Sequence, residues 1–67
     1  MGKAKILIDE LIKKKANGNT FQERNVRMKL IFKGVFPNDI ADDTPDSEEL
    51  ISKIYEVAKD FNIVLNN

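Results

Sequence analysis

Between Lys3 and Ala16 the apolar residues Ala4, Leu7, Ile8, Leu11 and Ile12 recur at intervals of three and four. That spacing lines up one face of an α-helix, so a first helix is predicted over about 3–16, with Ile6 outside its apolar face. Lys13, Lys14 and Lys15 close it. Cations in a last turn meet the partial negative charge of the unpaired carbonyls, each favourable by about 0.3–1 kcal/mol. The triple lysine therefore has a structural reason before any ligand is invoked.

The segment ANGNT, residues 16–20, supplies a stop and a start. Gly18 suits the left-handed conformation that ends a helix, and Thr20 with Glu23 has the form of a capping box. A second helix is predicted from Phe21 to about Lys33, stopped by Gly34 and prevented from continuing by Pro37. Phe21, Met28, Ile31 and Phe32 cluster on one side of it, whereas Val26 and Leu30 lie nearly opposite. Apolar surface in two directions predicts a central helix, covered on both sides by its own chain or by a second subunit.

Val35, Phe36 and Ile40 follow among polar residues, and Phe36, just past the glycine stop, is expected to fold back on the core. A third helix carries Leu50, Ile51, Ile54, Tyr55, Val57, Ala58 and Phe61. Its start is either Thr44 with Pro45 in the first position, or Asp46 capping through Glu49. Asn62 is a candidate left-handed stop. Beyond it Ile63, Val64 and Leu65 form an apolar tail, expected to lie across the bundle or add a short strand. The fold class predicted is all-α: a small three-helix bundle with short connections and an apolar C-terminal tail, residues 1–67 reading as a single helical domain. The aromatics Phe21, Phe32, Phe36, Tyr55 and Phe61 fall at core spacing and are expected inside, with the Tyr55 hydroxyl drawing that residue toward a subunit boundary.

Composition changes the picture in one respect. A chain of 67 residues buries only roughly 60% of the surface it exposes unfolded. With no cysteine and no histidine it has neither a disulfide nor the usual zinc ligands to reinforce so small a core. Stability must come from well-formed helices or from association. No apolar run approaches the roughly 18 residues of a membrane span, and the acids within the N-terminal MGKAKILIDELIKKK argue against a secretory signal. No membrane partner is expected and a cytoplasmic protein is the default. The segments DELIKKKANGNT and MKLIFKGV resemble the sequences of small bacterial helical proteins without pointing to a family.

Charge is balanced overall but not locally. Residues 1–34 hold nine bases against three acids, and the remainder two bases against eight acids. Such asymmetry can mark a nucleic-acid surface, here Lys13, Lys14, Lys15, Arg24, Arg27 and Lys33. It equally suits a second half folded against the first, the reading preferred here. A DNA-reading helix needs one broad polar face, and on the second helix Arg24 and Arg27 are left narrow strips between apolar sides.

Catalysis finds little support. Without His or Cys, and with Ser47, Thr20 and Thr44 used at helix starts, the usual nucleophile and base pairs are missing. Asp39, Asp42, Asp43 and Asp46 lie in a polar loop without the apolar surroundings that raise a carboxyl pKa. Laid on a calcium-loop pattern from Asp39, the third, sixth and twelfth places hold Ala41, Thr44 and Leu50, none of them suitable. The expectation is no enzyme, no cofactor, no metal and no small-molecule ligand. What remains is a non-catalytic protein-interaction module, most simply self-associating as a homodimer through Val26, Leu30, Tyr55, Val64 and Leu65. A nucleic-acid-binding domain using the basic N-terminal half is the alternative.

Overall fold

The computed structural model describes residues 2–66. It holds α1 (Lys3–Ala16), α2 (Thr20–Phe32) and α3 (Glu48–Asp60), with a single 3₁₀ turn at Pro37–Asp39. No strand occurs among the described residues, and the fold is the all-α three-helix bundle that the hydrophobic spacing implies. No helix of the described residues is long and apolar enough to cross a membrane.

The helix starts differ from expectation in instructive ways. Asn19, not Thr20, caps α2: its side-chain oxygen accepts from the Phe21 and Gln22 amides at 2.9 and 3.1 Å. Thr20 is then the first helical residue, and Glu23 reaches forward to Arg27 at 3.5 Å instead of back to the cap. For α3 the cap is Ser47, whose hydroxyl accepts from the Leu50 amide at 3.1 Å. Thr44 instead closes the preceding loop, accepting from the Ala41 amide at 2.8 Å.

Asp46 serves another helix altogether. Gly2, at φ 85°, gives α1 no side-chain cap, and the Asp46 carboxylate accepts from the Lys3 and Ala4 amides at 3.3 and 3.1 Å. A carboxylate at the positive end of a helix whose amides lack a local partner is favoured over one placed before a helix already capped by Ser47. The contact ties the acidic loop to the start of the chain. It also needs glycine at position 2, where a Cβ would stand 2.8 Å from the Asp42 carbonyl oxygen.

The first stop falls one residue earlier than expected, Asn17 (φ 46°) being the left-handed cap of α1 with Gly18 (φ 87°) after it, whereas the two later stops behave as the sequence implies. At Gly34 (φ 88°) the Val35 amide donates to the Leu30 carbonyl at 2.8 Å and the Gly34 amide to that of Ile31 at 2.9 Å. In this closure the residue directly after the left-handed one makes the apolar contact. Val35 is accordingly buried and Phe36, expected inside, is exposed. Asn62 (φ 59°) repeats the device, with Ile63 donating to Ala58 at 2.8 Å and packing against the core.

The core is aliphatic. Leu7, Leu11, Val26, Leu30, Val35, Ile54 and Val57 are its largest fully buried side chains. No aromatic is among them, against expectation: Phe21, Phe32, Phe36 and Tyr55 are exposed and Phe61 is half-buried at the margin. Ala4, Ala16 and Ala58 are buried with them, so the interior is filled by alanine and branched aliphatic side chains. The central helix is α1, which contributes six buried residues. From α2 come only Val26 and Leu30.

The tail lies along α1. Lys14 Nζ donates to the Val64 carbonyl at 2.7 Å and the Asn66 amide to Glu10 Oε2 at 2.8 Å, while Lys14 and Glu10 pair at 2.8 Å. Ile63 and Leu65 turn toward the core and Val64 outward. Of the two arrangements expected for the tail, packing across the bundle is the one found.

Candidate protein-docking face

The expectation that α2 is covered on both sides fails on one of them. At about 100° per residue, Phe21, Asn25, Met28 and Phe32 fall within a stripe about 60° wide along the helix, centred about 150° around from Val26 and Leu30. Val26 and Leu30 pack on the aliphatic sides of α1 and α3 and are wholly buried. The stripe faces solvent, with Phe21 75%, Met28 60% and Phe32 89% exposed. Val26 and Leu30 are therefore corrected from interface to core. They have no surface left to offer a partner.

The stripe has cationic edges. Arg24 and the exposed Ile31 run along one side. Lys29 lies along the other, with Lys33 one turn further on. Lys29 pairs with Asp60 of α3 at 3.5 Å and Arg27 with Glu23 at 3.5 Å. Arg24 and Lys33 have no ion-pair partner among the described residues.

At its C-terminal end the stripe opens into a cleft between α2 and the end of α3, of about 260 Å³, lined by Asn25, Met28, Lys29, Phe32 and Phe61. The Lys15 ammonium lies over the Phe61 ring, 5.2 Å from its centre, a cation–π contact. The cleft is smaller than the roughly 300–1,000 Å³ of small-molecule sites.

The other interface candidates occupy a separate place. Tyr55, Val64 and Leu65 line an open groove of about 530 Å³ with Lys59 and Asn62 at the end of α3. Tyr55 and Asp60 stand about 140° apart around α3, so this groove and the cleft beside Asp60 open on different sides. Ile6 is also exposed.

The six candidate nucleic-acid residues are dispersed. Lys14 is tied to Glu10 and the tail, Lys15 sits on Phe61 and Arg27 is paired with Glu23. Arg24 and Lys33 border an apolar stripe instead of a polar ridge, and Lys13 lines an open hollow beside the tail with Glu10, Lys14, Asn17 and Asn66. A further hollow of about 230 Å³ under the 3₁₀ turn has Lys5, Asp9 and Arg27 at its rim. Its charges are already engaged, Lys5 with Asp9 at 3.0 Å and Arg27 with Glu23. The described residues hold no group of three or more acidic side chains placed to hold a metal ion.

Sequence reasoning identified both apolar sides of α2 but not which one packs. The usable signal was composition. The facing sides of α1 and α3 are aliphatic and interspersed with alanine, a match for Val26 and Leu30. The Phe21–Phe32 stripe includes Asn25 and is bordered by Arg24. Comparison of the chain with protein-family models, with curated proteins and with solved structures found no match.

Proposed function

We propose that the chain is a non-catalytic protein-interaction domain that docks a segment of another polypeptide on the outward face of α2. One observation carries this reading: three large apolar side chains, Phe21, Met28 and Phe32, aligned and exposed on a helix whose opposite side is fully buried. Single exposed apolar residues are ordinary, but an aligned row rimmed by polar groups is the form of an interaction surface. The row runs from Phe21 to Phe32, roughly 16 Å of helix at a rise of about 1.5 Å per residue, long enough to meet three turns of a partner helix. Recognition of a helix in such a groove uses anchors at about three- and four-residue spacing.

The neighbouring cleft supports the same reading, since it supplies the concave pocket in which an anchor side chain loses its water. The test is selection from a displayed library of helical peptides against the intact chain. Peptides that bind wild type and fail on the Met28→Asp, Phe32→Asp variant, with unchanged helical circular dichroism, support the reading. If none is selected, or if those selected ignore the double variant, the reading is wrong.

A further inference from the structure

The charge bordering the stripe points to the partner, and the inference rests on the docking face just described. We propose that the segment docked on α2 is an amphipathic helix whose apolar side is flanked by aspartate and glutamate, with one large apolar side chain seated in the cleft formed by Met28, Phe32 and Phe61. Along α2 the charged residues are Glu23, Arg24, Arg27 and Lys29, with Lys33 at its end. Two of the cations are spent within the chain, Arg27 on Glu23 and Lys29 on Asp60. The surplus is Arg24 on one edge and Lys33 on the other, so a helix lying along the stripe meets a cation on each flank. Acidic flanks complement both and basic flanks oppose both.

The same charges weigh against a second copy as the occupant. Two α2 stripes related by a two-fold axis set the Arg24 edge on itself when antiparallel and on the edge that ends in Lys33 when parallel, and with Glu23 and Asp60 already paired to Arg27 and Lys29 neither orientation brings an unpaired acid to either surplus cation. A self-complementary interface requires the patch to suit itself. This one does not. A flat lipid surface would leave the cleft beside Phe61 empty, whereas a helix with a projecting side chain fills it.

The test measures fluorescence anisotropy of two labelled helical peptides with the same apolar positions, one with Glu and one with Lys on its flanks, titrated with the intact chain. Two or three exposed charge pairs of ordinary strength amount to about a tenfold difference in affinity. The acidic peptide is expected to bind about tenfold tighter, with a preference that shrinks as salt rises and reverses in the Arg24→Glu, Lys33→Glu variant. Equal binding of both peptides, each abolished by Met28→Asp with Phe32→Asp, would overturn the acidic partner and leave the docking reading standing. Binding of neither would overturn both. Two further results would also overturn the inference: a dimer by light scattering that dissociates in the Met28→Asp, Phe32→Asp variant, or partition onto phosphatidylserine-containing vesicles that depends on the same side chains and exceeds peptide binding.

Discussion

Leu30 and Phe32 sit two positions apart on α2, and replacing each with alanine should have opposite consequences. Leu30 is 0% exposed, and truncating a fully buried leucine costs about 2–5 kcal/mol through lost burial and the cavity left behind. Phe32 is 89% exposed. Its ring, of some 150–250 Å², therefore hides only about 20 Å² from water, worth about 0.5 kcal/mol at ~25 cal/mol/Å². Alanine's better helix propensity offsets part of even that. A single core of this size supplies no more than about 3–5 kcal/mol in total, so Leu30→Ala should be largely unfolded at 25 °C and recover only with a protecting osmolyte. Phe32→Ala should keep a urea midpoint within about 0.5 M of wild type, given a slope near 1 kcal/mol/M. The assay is urea unfolding followed by far-ultraviolet circular dichroism. Comparable losses from the two variants, or a larger one from Phe32→Ala, would refute the one-sided packing of α2.

The remaining predictions concern the caps and the tail. Asn19→Ala should destabilise by about 1 kcal/mol and Thr20→Ala by much less, since only Asn19 satisfies the first amides of α2; thermal melts of the two variants would distinguish them. Asp46 is held below its ordinary carboxyl value of 3.8, chiefly by the Ala4 amide it accepts from and further by that of Lys3. A group whose folded pKa is depressed contributes stability that is present above its unfolded value and lost as pH falls through the folded one. Wild type should therefore lose stability on acidification below about pH 4, and Asp46→Asn, less stable at neutral pH, should lose less over that interval in an acid titration. Gly2→Ala should be destabilising through both its left-handed φ and the approach of the Asp42 carbonyl, detectable as a lower urea midpoint. Glu10→Ala should free the tail, seen as faster hydrogen exchange at Asn66, while leaving the α2 stripe unchanged.

The helices themselves were legible in the sequence because apolar spacing and left-handed stops are local. Gly34 and Asn62 end their helices where composition implies, and α1 covers the range that its apolar face predicts. What could not be read were choices decided by distant partners. Asp46 caps α1 rather than α3 because Gly2 leaves the amides of α1 without a local acceptor, a relation spanning most of the chain. Phe36 yielded its inward place to Val35 because the closure at Gly34 selects by geometry, not by size. The aromatics were misassigned for a related reason: ring-bearing positions have core spacing on α2, but spacing alone does not say which of two apolar sides packs, and the aliphatic side carrying Val26 and Leu30 is the one buried. That choice turned a side expected to be covered into the candidate docking face.

Cysteine accessibility along α2 tests this most directly, since the chain has no cysteine of its own and each introduced thiol reports one position. Phe21→Cys, Met28→Cys and Phe32→Cys should react with a water-soluble thiol reagent at nearly the rate of a free peptide thiol in dilute native protein. Val26→Cys and Leu30→Cys should be slower by orders of magnitude, opening only with unfolding. Fast labelling at 26 and 30 with protection at 21, 28 and 32 would mean that the helix is turned the other way, and the docking face proposed for it would not exist.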